Sequence, residues 1–116
     1  MKNVTTVDLS KIIVYDIECY PNFFSLVALD YHTGDYLTFE VSWRCNHYGS
    51  LIEWMRHWQS CGYSMVGFNS IGYDYPLLHA ICTQNLHTSA LIYQHSAGII
   101  ATPWNDRFKN LSLIHI

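Results

Sequence analysis

Lys11-Ile-Ile-Val-Tyr-Asp-Ile17 is dense in β-branched residues and apolar on both faces of an extended chain. A run of that kind suits a central strand with neighbours on either side. Working outward, residues 23–29 read as a second strand. Residues 36–41 read as a third, in which Tyr36, Thr38 and Glu40 alternate with Leu37, Phe39 and Val41 and give one wetter face. The link Tyr31-His-Thr-Gly-Asp35 is turn chemistry, with Gly34 free to take positive φ. The three strands make an antiparallel meander.

Helical periodicity then takes over. Ser50 opens a helix with Glu53 three residues on, as in a capping box. Leu51, Trp54, Met55 and Trp58 follow at i, i+3, i+4 and i+7, one apolar stripe, which makes Trp54 and Trp58 expected core residues. Gly62 ends the helix as a C′ residue. Residues 64–68 are a short strand reached by a crossover and so available for parallel pairing. Residues 69–74 turn, a helix covers 75–83 with Pro76 in its first turn, and another covers 89–100. Residues 102–110 read as loop, and Leu111-Ser-Leu-Ile-His-Ile116 as the start of a further apolar strand. The layout is α/β: a mixed sheet of a three-stranded meander plus one parallel strand, with flanking helices, in a single domain over residues 1–116.

Composition bounds the function. The 116 residues are 50% hydrophobic, 16% aromatic and 13% charged, too rich in aromatics and too poor in charge for a disordered chain. No apolar run approaches the roughly 20 residues that span a bilayer, and no secretory signal is visible. The expectation is a cytoplasmic protein without a membrane partner. Cys19, Cys45, Cys61 and Cys82 form no CxxC pair, which points to free thiols in a reducing compartment. The net charge is −3 and the six Lys and Arg are scattered, which argues against a broad electrostatic footprint on nucleic acid. An enzyme that holds a strand end through metals and stacking is not excluded.

The chemistry sits on acids. Asp16 and Glu18 end the most apolar strand, and alternation puts both on one face, about 6–7 Å apart. No cationic residue lies near in sequence, and two hard oxygen donors at a strand end suit Mg²⁺ or Mn²⁺; the alternative is a strand end entering solvent. Asp74 stands before Tyr75-Pro76 at a helix start, where the alternative role is an N-cap carboxylate.

Taken together, Val14-Tyr-Asp-Ile-Glu-Cys-Tyr-Pro-Asn22 resembles the Asp-x-Glu first motif of the DEDD-type 3′–5′ exonucleases. Val66-Gly-Phe-Asn-Ser-Ile-Gly-Tyr-Asp-Tyr-Pro-Leu-Leu78 resembles their second motif, Asn-x-x-x-(Phe/Tyr)-Asp. The chain looks most like the proofreading exonuclease domain of bacteriophage DNA polymerases, over about residues 11–81. The resemblance implies a ribonuclease H-like fold and hydrolysis of single-stranded DNA from its 3′ end with two divalent cations, Mg²⁺ or Mn²⁺. It also implies a polymerase domain or subunit as partner, and the bacterial host cytoplasm as the compartment. By that resemblance Asp16 bridges both metals, Glu18 holds the metal that activates water, and Asp74 holds the second. Asn69 places the 3′-terminal nucleotide.

The chain departs from the family in two places. Cys19 stands where a Thr that meets the terminal sugar is common. The third motif, a Tyr or His four residues before an Asp, is missing: the last acid is Asp106, preceded at that spacing by Thr102. The expectation that follows is the front part of an exonuclease domain, or a subunit completed by a partner. A catalytically incomplete fold that binds DNA ends or a polymerase is the rival.

Other residues point less sharply. One of Phe23 and Phe24 must face the core, leaving the other (Phe23 as the candidate) to stack on a terminal base, worth about 1–3 kcal/mol. Cys45, His47, His57 and Cys61 are zinc-binding residue types, but their spacing matches no zinc pattern. His79, His87 and His95 recur every eight residues across an expected helix break.

Overall fold

The computed structural model describes residues 9–67 and 70–102. After a 3₁₀ turn at Leu9–Lys11 come β1 (Ile12–Tyr20), β2 (Phe23–Asp30), β3 (Tyr36–Ser42), α1 (Tyr48–Ser60), β4 (Ser64–Gly67), a π-helical turn at Ser70–Asp74, α2 (Tyr75–Thr83) and α3 (Ser89–Ala101). The fold is α/β with a four-stranded mixed sheet in the order β3-β2-β1-β4. The β1-β2-β3 meander is antiparallel, and β4 runs parallel to β1 on its free side. Most of the apolar run at 11–17 thus lies in a strand paired on both edges, with Ile12 and Ile13 buried and Val14 and Ile17 half-buried. Gly34 has φ +81° in the β2–β3 link. The expected segments 103–110 and 111–116, and Phe68 and Asn69, lie outside the described residues.

Strand alternation sorts the sheet into two unlike faces. Ile13, Tyr15, Phe24, Leu26, Ala28, Phe39 and Val41 share one face and form a single core with Leu51 and Ile52 of α1, Leu77, Leu78 and Ile81 of α2, and Ile92 and Ile99 of α3. Each such side chain contributes about 1.5–3 kcal/mol on burial, so this face holds the fold. The other face carries Asp16, Glu18, Tyr20 and Thr38, together with Val27 and Val66, all exposed. The layout read from the sequence had flanking helices without assigning them a face. Among the described residues all three helices pack on the one apolar face.

Three local expectations are corrected. The first helix does not open at a Ser50–Glu53 capping box. It begins at Tyr48, with His47 as an N-cap whose side chain makes no capping bond. The reason is tertiary: the His47 N–H donates to Glu40 O and Ser42 N–H to Cys45 O, so the chain is tied to β3 until His47. Asn46 Oδ1 then accepts the Tyr48 N–H at 3.0 Å. The apolar stripe is also rotated. Leu51 and Ile52 are buried, whereas Trp54, Met55 and Trp58 are half-buried, with the Trp54 ring 5.3 Å from Phe39 and tilted 52° to it. Finally, residues 70–74 are not an open turn but a π-helical one that runs directly into α2. Gly62 does take the left-handed conformation after α1, φ +80°, and Thr88 caps α3 by accepting the Leu91 N–H at 3.2 Å. No described helix is long and apolar enough to cross a membrane.

Candidate functional site

The site starts from the pairing of β1 with β4. In that parallel ladder Tyr15 stands opposite Gly67, the last described residue of β4 and one position before Asp16 is reached. At the end of the π-helical turn Asp74 is buried, 5% exposed, with its carboxyl beside Gly67. Gly67 makes this possible. A Cβ there would stand 3.2 Å from Asp74 Oδ2 and 3.0 Å from Tyr15 Cζ. A glycine at the end of a strand, where another group must approach the backbone, is the residue that allows the approach.

Asp74 is not an N-cap. Its backbone is α-helical, φ −62° and ψ −45°, and its side chain makes no capping bond. Its carboxyl is pushed up to about 6, first by burial and then by the negative charge of Asp16. The Asp16 carboxylate is thus close enough to oppose the ionisation of a carboxyl from a separate element, an arrangement common where acids share a task.

Glu18 lies on the same exposed face as Asp16, and Glu18 Oε2 accepts a hydrogen bond from the Tyr20 hydroxyl at 3.2 Å. Phe23 pairs with Tyr20 across the β1–β2 turn, which places it on this face too. It is half-buried, while Phe24 turns fully inward. The ion pair found among the described residues, Arg44 with Glu40 at 2.8 Å, belongs to β3 and its flanking loop. Among the described residues no three His, Cys, Asp or Glu side chains are grouped so as to hold a metal ion. The structure brings Asp16 and Asp74 together electrostatically; it does not gather Glu18 into a tight triad with them.

Cys19 points the other way. Alternation turns it to the helix-covered face, where its thiol is hydrogen-bonded to Ser96 and Tyr73 and burial raises its pKa. Tyr73 Oη and Ser96 Oγ are themselves 2.6 Å apart. This polar knot ties β1, the π-helical turn and α3 together, and it holds the residue next to Asp74. Cys19 is therefore placed to fix the turn rather than to face the acids. Sequence reading quoted Tyr73 as the aromatic of the second motif without giving it a role, and missed Gly67 and Ser96. Gly67 carried a readable signal, a glycine closing a strand just before the Asn-x-x-x-Tyr-Asp run.

The zinc-type residues separate into two pairs. Cys45 Sγ is 3.1 Å from His47 Nε2 before α1, and Cys61 Sγ is 3.9 Å from His57 Nε2 at its far end. A 13-residue helix of about 20 Å lies between them. His79, His87 and His95 fall in α2, the α2–α3 link and α3.

Comparison of the chain with family models, with curated proteins and with solved structures finds no match in any of the three.

Proposed function

We propose that this chain is a metal-dependent 3′–5′ exonuclease domain of ribonuclease H-like architecture, acting on single-stranded DNA ends with Mg²⁺ or Mn²⁺. The observation that carries the reading is Asp74: a buried carboxyl held near pKa 6 by its burial and by Asp16. The Asp-x-Glu and Asn-x-x-x-Tyr-Asp motifs supply these same acids. Like charges crowded at a sheet end are costly unless a cation joins them, and an all-carboxylate donor set is the kind Mg²⁺ and Mn²⁺ prefer.

Asp16 and Asp74 are the residues that would hold such a cation, with Glu18 on the same sheet face. Bound there, divalent metal supplies charge stabilisation for in-line displacement at phosphorus. The chain's own groups do the rest. The Tyr20 hydroxyl orients the Glu18 carboxylate. Phe23 offers a ring on the acid face for the terminal base. The Cys19–Tyr73–Ser96 knot keeps Asp74 at the sheet end.

A second reading is favoured by the absence, among the described residues, of a three-ligand group: a nuclease-like fold that binds DNA ends or a polymerase without cutting. One assay decides between them. 3′-labelled single-stranded DNA is incubated with Mg²⁺ or Mn²⁺ and the protein, its Asp16→Asn form or its Asp74→Asn form. The exonuclease reading expects stepwise shortening that each substitution reduces at least about 100-fold, the scale of losing a group that stabilises transition-state charge. Uncut DNA that is nonetheless bound supports the second reading.

A further inference from the structure

A cavity of about 220 Å³ lies on the helix-covered side of the sheet, between α1, α2 and the β4 edge. We propose that it is a binding site for a small, flat, uncharged aromatic molecule of one or two fused rings. The inference is independent of the exonuclease reading.

Size sets the first limit. An apolar cavity of about 150 Å³ accepts benzene, and drug-sized ligands need about 300 Å³ or more. The volume here falls between the two, which suits one or two rings. Shape and chemistry set the second. Trp58 and Tyr63 meet at 4.4 Å, 62° apart, and form one aromatic wall. Tyr15 and Tyr75 contribute further ring surface from the sheet and α2. Met55 and Met65, unbranched and polarisable, can adjust to a flat ring. The thiol of Cys82 reaches Met55 Sδ at 3.6 Å and bridges the two helices.

Charge sets the third limit. Burial lowers the pKa of His79 and raises that of Cys82 to about 11, so both stay neutral near pH 7. Among the lining residues Arg56 alone carries charge there, on an exposed stretch of α1. A charged ligand would lose its hydration without a buried partner.

The chain offers its own reporters. Two of its three methionines, Met55 and Met65, line the cavity. The methyl NMR signals of the full chain are followed during titration with quinoline, which is neutral and bicyclic with a ring-nitrogen acceptor. Quinoline-4-carboxylate serves as its charged counterpart. The expected result is saturable movement of the Met55 and Met65 methyls, and binding of the carboxylate at least about tenfold weaker. Cys82→Phe fills the cavity from α2 and should abolish the movement. If that variant does not fold, Thr83→Trp at the exposed end of α2 tests the same point by obstructing the opening. Absence of saturable shifts at millimolar quinoline overturns the proposal, as does equal binding of the charged probe or unaltered binding by the folded variant.

Discussion

The Asp74 carboxyl lies against the backbone of Gly67: a Cβ added at that glycine would come within 3.2 Å of Oδ2. The same Cβ would meet Tyr15 Cζ at 3.0 Å, and Tyr15 is 2% exposed in a strand paired on both sides. Both neighbours are buried side chains. Gly67→Ala is therefore expected to destabilise the fold by about 1–3 kcal/mol, the usual range for overpacking, and to displace Asp74. Urea denaturation reads the first effect and the Asp74 carboxyl ¹³C shift the second. A variant as stable as the parent, with Asp74 titrating unchanged, would contradict the close approach.

Removing the charge at Asp16 should release part of the constraint on its neighbour. In Asp16→Asn the titration of Asp74 is expected to fall below about 6, yet to stay above the ordinary carboxylate range, because burial is the larger cause and remains. Carboxyl ¹³C NMR follows this directly. In the same variant Mn²⁺ binding by calorimetry is expected to weaken strongly.

The raised pKa of Asp74 also makes a statement about stability. The folded chain holds this proton up to about pH 6, while the unfolded chain releases it near 3.8. The folded state therefore binds more protons between those values, and stability declines as pH rises through that window. A shift of about two units corresponds to about 3 kcal/mol. Asp74→Asn should remove this decline and leave the protein more stable at pH 7 by about that amount. Comparing urea midpoints at pH 4 and pH 7 for parent and variant isolates the contribution from those of His79 and His95. A stabilised variant that loses metal binding would mark Asp74 as a group kept for function at a cost to the fold.

Within α1 the weight falls on Leu51, which is fully buried, rather than on the half-buried Trp58. Leu51→Ala should cost about 2–5 kcal/mol. Trp58→Ala should cost less than the ~3–5 kcal/mol typical of a buried aromatic. Thermal unfolding of the two variants side by side gives the order.

Thiol reactivity should follow environment. Cys61 is exposed, Cys19 is hydrogen-bonded and half-buried, and Cys82 is pushed up to about 11 by burial. Since the thiolate is the reactive form, a disulfide reagent at pH 8 should modify Cys61 first and Cys82 last, as read by peptide mass mapping. Early labelling of Cys82 would mean that the α1–α2 contact opens readily.

Much of the fold was legible in the sequence because its signals are local. The period of two in 36–41 and the β-branched run at 11–17 are properties of neighbouring residues, and so is the helical character of 75–83 and 89–100. Alternation alone also puts Asp16 and Glu18 on one face and Cys19 on the other. What the tertiary structure decided depends on contacts between distant segments. The start of α1 at Tyr48 follows from backbone bonds that tie residues 45–47 to β3, which no capping pattern reveals. The inward turn of Ile52 beside Leu51 follows from where α1 rests on the sheet. Asp74 looked like a cap because a carboxylate before Tyr-Pro at a helix start usually is one. It is instead a buried partner of Asp16, because the parallel register that sets Gly67 opposite Tyr15 delivers the chain to that end of β1, and a glycine without a side chain leaves the carboxyl room to settle there.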